Sequence, residues 1–421
     1  MLKELRLINW KSFRNATLYV DPLTIIIGMN ASGKSNVLDA LLFLQRLASG
    51  IPISTAIAGD AEIPGLRGGL EWVVRKPEKE FTLEVLVASK DEERTDYRYS
   101  ITIAVNGTRA ELAAESLIRL KYRPRSDMPY ERNLFVTKSE EATTPAIPAY
   151  FYTATKGRGK RLDLNRTYSI LTQVDSLKVR KEISKAAKNV VEQLRRVFIL
   201  DPIPSHMRSY QPLSEKMQTD AANIAGVLAA LPDERKKEVE AMLTDYLRKL
   251  PERDIRRVWT EPIGKFKTDA MLYCEEAWTA DEKPTIVDLR GMSDGTLRFL
   301  AIVSALLTLE EDSLLVVEEV DNGLHPSRAK VLVNMLRELG KKRRIDVIVT
   351  THNPAMLDAL GSRMVPFVTV AHRDGKTGGS RLTLLEDIEQ LPKLLASDSI
   401  GRLSTQGKIE AALHTEDEEG E

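Results

Sequence analysis

The chain has 421 residues, 43% hydrophobic and 29% charged, enough for one large or two modest globular domains. Lys plus Arg and Asp plus Glu number 61 each, so overall charge gives no argument for nucleic acid, and only local basic patches could. The single cysteine, Cys274, excludes a disulfide scaffold or a Cys-rich zinc site and fits a reducing cytoplasm. The first residues lack a signal-peptide core, and no apolar run approaches the ~20 residues of a membrane span, so no membrane contact is expected.

Residues 2–8, 16–20 and 23–27 read as strands, with a turn at Asn9–Asn15 between the first two. The third runs into Gly28-Met29-Asn30-Ala31-Ser32-Gly33-Lys34-Ser35-Asn36, a complete G-x-x-x-x-G-K-S/T pattern. Two glycines allow the tight backbone path, and successive N–H groups face phosphate oxygens. Lys34 then reaches the β/γ-phosphates and the Ser35 hydroxyl a Mg²⁺ ion, which predicts ATP with Mg²⁺ as cofactors. A helix is expected over residues 34–48.

Residues 50–70 are irregular and glycine-rich. Strands Phe81–Ala88 and Tyr97–Val105 follow, and Asn106-Gly107 signals a hairpin continued by residues 110–122. Residues 124–167 read as a proline-bearing loop with the basic run Lys156–Arg161, either a solvated excursion or a phosphate-backbone contact. Val179–Val197 and a segment from Pro232-Asp233 carry helical periodicity. Residues 175–284 are therefore expected as a compact helical insertion, with strands possible near Arg257–Val258 and Met271–Tyr273. The implied units are 1–174, 175–284, 285–390 and a tail, 391–421, whose acidic end (residues 416–421) is expected to be disordered.

Strand–helix alternation returns after Thr285–Leu289. Leu314–Val317 is an apolar strand ending in Glu318-Glu319. In phosphate-loop enzymes a carboxylate at that place holds Mg²⁺, so by position Glu318 is the metal residue and Glu319 the general base. His352 follows the strand Asp346–Val349, where it could reach the γ-phosphate. Ser293, Asp294 and Gly295 precede the helix Phe299–Leu307, and this helix start forms a second anion-binding surface. Two such features in one chain predict head-to-tail pairing of two copies, each closing the other's loop.

The order Gly28–Ser35, Ser293–Arg298, Glu318–Glu319, Asn322–His325, His352 resembles the ABC-type ATPases, and most closely the SMC/RecF/OLD-like branch. Leu7-Ile8-Asn9-Trp10-Lys11-Ser12-Phe13 matches that branch's opening, and Glu318–Pro326 its run after the strand. The resemblance implies an α/β fold: a P-loop NTPase with an ABC-like mixed sheet, an antiparallel subdomain and the helical insertion. It implies ATP hydrolysis catalysed by Glu319, His352 and Lys34, with Ser293, Asp294 and Gly295 acting in trans as a signature. Asn322, Gly323, Leu324 and His325 would be a D-loop, and His352 a switch histidine. Gln173 stands where the family's Q-loop lies, beside the plainer reading of a capping or core residue. Glu318 replaces the usual aspartate and Val320 the usual proline.

OLD-type nucleases continue after the switch histidine with a metal-binding nuclease domain, for which the residues after His352 leave no room. The resemblance thus implies a homodimer or higher homo-oligomer that controls a separate effector, a TOPRIM-like nuclease or a toxin, in anti-phage defence. The alternative is a RecF/SMC-like clamp on duplex DNA, for which the basic clusters Arg119–Arg125, Lys156–Arg161 and Lys341–Arg344 are the sequence evidence. An ABC transporter motor fits least.

Overall fold

Side chains of a strand alternate between faces, so a strand without a polar position needs cover on both sides. Leu23–Ile27 is such a strand: Leu23, Ile25 and Ile27 pack into one apolar cluster and Ile26 into another. In the computed structural model, which describes residues 1–126, 128–138, 145–152, 157, 159–252, 255–277 and 283–419, it lies inside a 14-stranded sheet.

The strands in chain order are β1 (Leu2–Trp10), β2 (Phe13–Tyr19), β3 (Leu23–Ile27), β4 (Glu80–Ala88), β5 (Thr95–Asn106), β6 (Arg109–Tyr122), β7 (Pro129–Thr137), β8 (Ala146–Phe151) and β9 (Lys160–Asn165). They continue with β10 (Val197–Leu200), β11 (Gln211–Pro212), β12 (Ile255–Ile263), β13 (Asp269–Glu276), β14 (Thr285–Asp288), β15 (Leu314–Val317), β16 (Asp346–Thr350), β17 (Val368–Arg373) and β18 (Ser380–Leu384). The large sheet runs β10-β15-β16-β3-β17-β18-β2-β1-β4-β5-β6-β7-β8-β9. Its first part, β10 to β17, is parallel, and from β2 outward through β1 to β9 every pairing is antiparallel.

Parallel strands are buried on both faces by the helices that connect them. Helices Lys34–Ala48 and Lys181–Arg195 cover one face, where Phe43 joins Trp10 and Phe81 in an aromatic cluster with centroids 4.9–5.9 Å apart. Helices Asp294–Thr308 and Ala329–Arg343 cover the other. β4 shows the complementary pattern: Phe81, Leu83, Val85 and Val87 are buried and alternate with partly or fully exposed positions.

Several expectations change. Residues 124–167 are not one loop but contain β7, β8 and β9. Pro148 is tolerated in β8 because its carbonyl still accepts Lys138 N at 3.1 Å, so only the missing donor is lost. Lys156 and Arg158 lie outside the described residues. The helix predicted over Val179–Val197 stops at Arg195, and Val197–Leu200 pairs in parallel with β15 at the sheet edge. Residues 175–284 are not a helical body: helices Ile224–Ala229 and Asp233–Arg248 pack on a small sheet of β11, β13, β12 and β14. The strands suspected near Arg257–Val258 and Met271–Tyr273 are β12 and β13. The tail is helical over Lys408–Glu419, with Ile409, Ala412 and Leu413 buried, so residues 416–419 of the acidic end lie in a helix, while Gly420 and Glu421 lie outside the described residues. No helix among the described residues is long and apolar enough to cross a membrane.

Candidate nucleotide-binding site

The loop after β3 keeps its shape because two positions exclude any side chain. A β-carbon on Gly28 (φ 141°) would lie 2.1 Å from the Ala371 carbonyl oxygen, and one on Gly33 (φ 111°) 2.8 Å from Ser380 Oγ and 2.9 Å from Phe13. Ala31 also sits at positive φ, 63°. Helix Lys34–Ala48 begins at Gly33 with no side-chain cap, so its first N–H groups remain available at the loop. Asn30 and Ala31 are exposed, whereas Ser32, Gly33 and Lys34 are buried. Lys34 Nζ folds back to the carbonyls of Gly28 (2.6 Å) and Met29 (2.9 Å). Burial lowers its pKa, opposed by the nearby charges of Glu319 and Glu318.

The opening segment braces this loop. Trp10 Nε1 donates to the Asn36 carbonyl at 2.7 Å, Asn36 Nδ2 donates to Ser12 Oγ at 2.8 Å, and Ser380 Oγ donates to Ser12 Oγ at 2.8 Å. Lys11 pairs with buried Asp39, one helical turn beyond Ser35.

β15 and β16 bring the second set of residues to the same end of the sheet as the loop, since both run parallel to β3, β16 beside it and β15 one strand further out. Ser35 Oγ donates to Glu318 Oε1. Glu319 adopts φ 46°, and its N–H donates to Thr350 Oγ1 at 2.8 Å, which turns its carboxylate away from the strand. Asn322 Nδ2 donates to Glu319 Oε2 at 3.5 Å, and His352 Nδ1 stands 3.9 Å from Glu319 Oε1. Glu319 and His352 remain 42% and 51% exposed, open to a ligand.

Ser293 caps helix Asp294–Thr308, accepting from Thr296 N at 3.2 Å, and is itself exposed. Gly295 packs on the following motif: a β-carbon there would meet the Gly323 carbonyl oxygen at 2.7 Å. Asp294 pairs with Arg208, whose Nη1 also donates to the carbonyls of Leu289, Arg290 and Met292. His325 Nδ1 lies 2.8 Å from Ser327 Oγ at the start of a short 3-10 turn, and Leu324 is buried. Gln173 does not turn to the loop. Its side chain bonds Asn165, Tyr168 and Ser169 at 3.0–3.4 Å.

Residues 23–358 match the family model described as "AAA domain, putative AbiEii toxin, Type IV TA system". The chain belongs to this AAA family. The fold is also that of a solved SMC head bound to the C-winged helix domain of ScpA, at TM-score 0.53 and 15% identity, covering 91% of this chain and 97% of that one. An SMC head from Thermotoga maritima (TM-score 0.43, 14% identity, 91% and 98% covered) and a Pyrococcus furiosus SMC head bound to the C-terminal domain of ScpA (0.45, 14%, 94% and 99%) are too distant to carry an argument. No curated protein matches the sequence.

In this AAA-family chain the oxygens of Ser35 and Glu318, already in contact, form the hard donor set a Mg²⁺ ion takes. Asp201, just beyond β10, feels the same charge: burial, then Glu318, raises its carboxyl pKa. The residues present therefore fit the metal. Two contributors escaped the sequence reading. Arg67, from the glycine-rich segment, donates to Glu318 Oε1 at 2.8 Å and to Asp39 Oδ1 at 2.9 Å. Asp39 could have been found as a lone acid on the buried face of an apolar helix; Arg67 carries no signal in the local sequence.

Proposed function

We propose that this chain binds ATP with Mg²⁺ at Gly28–Asn36 and hydrolyses it. The observation that carries the reading is the meeting of Lys34, Ser35 and Glu318 with the Glu319–Asn322–His352 group at one end of the sheet. Lys34 and the loop N–H groups hold the β- and γ-phosphates. Ser35 and Glu318 would hold the metal, which neutralises developing charge. Glu319 accepts the proton of the attacking water. As the water oxygen bonds to the γ-phosphorus, the bond to the β–γ bridging oxygen breaks, leaving ADP and phosphate. His352, beside Glu319, contacts the γ-phosphate and orients the carboxylate.

The Ser293–Gly295 helix start, with Ser293 and Asp294 exposed, completes the site of a second copy, so ATP joins a homodimer. The dimer in turn gates a separate effector in anti-phage defence. The SMC head with this fold was solved with a bound partner domain, which supports an effector outside this chain, and the family description names a toxin–antitoxin system. The duplex-DNA alternative draws on that same fold and on the exposed Lys121, Arg123, Arg125, Lys341 and Lys342, although part of these basic clusters is paired. Arg119 pairs with Glu92 and Glu182, and Arg344 with Glu311 and Asp312.

Phosphate release and nucleotide binding test the chemistry. Lys34→Ala should lose ATP binding. Glu319→Gln should retain ATP while turnover falls by at least ~10²-fold. Wild-type turnover in Glu319→Gln would remove Glu319 from the base role.

A further inference from the structure

Arg67 is held more elaborately than a half-exposed arginine on a turn requires. Leu66, 4% exposed, anchors the turn, its N–H donating to the Ile57 carbonyl at 2.8 Å. The Arg67 carbonyl accepts Lys11 Nζ at 2.8 Å. The guanidinium spans two carboxylates: Nη1 donates to both Glu318 oxygens at 2.8 and 3.1 Å, and Nη2 to Asp39 Oδ1 at 2.9 Å and the Ser35 carbonyl at 3.1 Å. Nε donates to Asp39 at 3.1 and 3.2 Å. Such planar, forked contact suits arginine alone.

Resting on the ATP and Mg²⁺ reading above, we infer that Arg67 is a resident cation that a divalent metal must displace from Glu318. Glu318 Oε1 already accepts from both Ser35 and Arg67. A metal ligated by Ser35 and Glu318 at roughly 2.0–2.1 Å takes up the Glu318 oxygen that Ser35 and Arg67 now share. It also sets two like charges side by side on one carboxylate, where they repel. Asp39 retains Arg67 as the metal enters, so the guanidinium swings about that carboxylate rather than leaving. The segment Gly65–Gly69 moves with it, and through Lys11 the motion reaches the turn between β1 and β2 that braces the phosphate loop. Arg67 thereby sets the metal concentration at which the site fills.

The test uses Mn²⁺ as the probe, followed by electron paramagnetic resonance on the full chain with a saturating non-hydrolysable ATP analogue, so that no turnover enters the readout. Arg67→Gln should bind Mn²⁺ more tightly, on the order of tenfold, as expected for losing one charge-assisted competitor. Arg67→Lys, which keeps the charge but not the fork, should fall between. Unchanged or weaker Mn²⁺ binding in Arg67→Gln, with analogue affinity intact, would overturn the inference and leave the ATP reading standing. Failure of both the wild type and the variants to bind the analogue would instead overturn the ATP reading, and this inference with it.

Discussion

Glu319 is the residue at which local preference and placement conflict. Its φ of 46° puts a β-carbon in the left-handed region, which costs roughly 1–2 kcal/mol for a residue other than glycine. The Thr350 hydroxyl bond to its N–H, at 2.8 Å, and the bond from Val320 N to the Thr350 carbonyl, at 3.0 Å, hold it there. Strain of this kind at a proposed catalytic carboxylate predicts a trade between stability and activity. Glu319→Gly should leave stability unchanged or raise it by up to about 1 kcal/mol in denaturant melts, while ATP turnover is lost. A marked destabilisation would show that the carboxylate's contacts with Asn322 and His352 matter more than the backbone strain.

At the scale of elements, the buried Glu115 on β6 pins the turn leading into helix Ile170–Gln173. It accepts from Tyr99, Ser169, Ile170 N and Leu171 N at 2.7–3.0 Å. Burial pushes its carboxyl up to about 7, although those donors favour the charged form, and burial likewise pushes Asp346 on β16 up to about 6. The folded chain therefore holds these protons more tightly than the unfolded chain does. The resulting stability is fully present below the ordinary carboxylate range and is lost as pH rises through about 6 to 7, a loss of about 3 kcal/mol for Glu115. Melting temperature should fall between pH 5 and pH 8, and Glu115→Gln should flatten most of that slope. A melting temperature that climbs over this interval would contradict the assignment.

For the whole molecule, one chain carries a phosphate loop and, on a separate helix, the exposed Ser293 turn. That turn meets Thr296, Arg208 and the Gly323 segment within its own chain. The proposed dimer predicts complementation between copies. Mixed dimers with Lys34→Ala in one chain and Ser293→Arg in the other should retain at most one competent site, and turnover should fall to half or less of the wild-type dimer. Full activity in both sites of purified mixed dimers would remove the trans arrangement.

The sequence by itself determined what depends on local spacing. Gly28, Gly33, Lys34 and Ser35 declare a phosphate loop because backbone conformation and side-chain reach are set within a few residues. The apolar runs at β3, β15 and β16 declare strands covered on both faces. The edges were decided only by the tertiary structure. Val197–Leu200 is a strand because β15 offers it a partner, β8 keeps Pro148 because its carbonyl still accepts Lys138 N, and the strands suspected at β12 and β13 join β11 and β14 in one sheet. The same holds for Arg67. It lies in an irregular glycine-rich stretch, and nothing near it in sequence announces a site. Folding carries it to Glu318, 251 residues away in the chain, because long-range charge pairing leaves no periodic trace in the sequence.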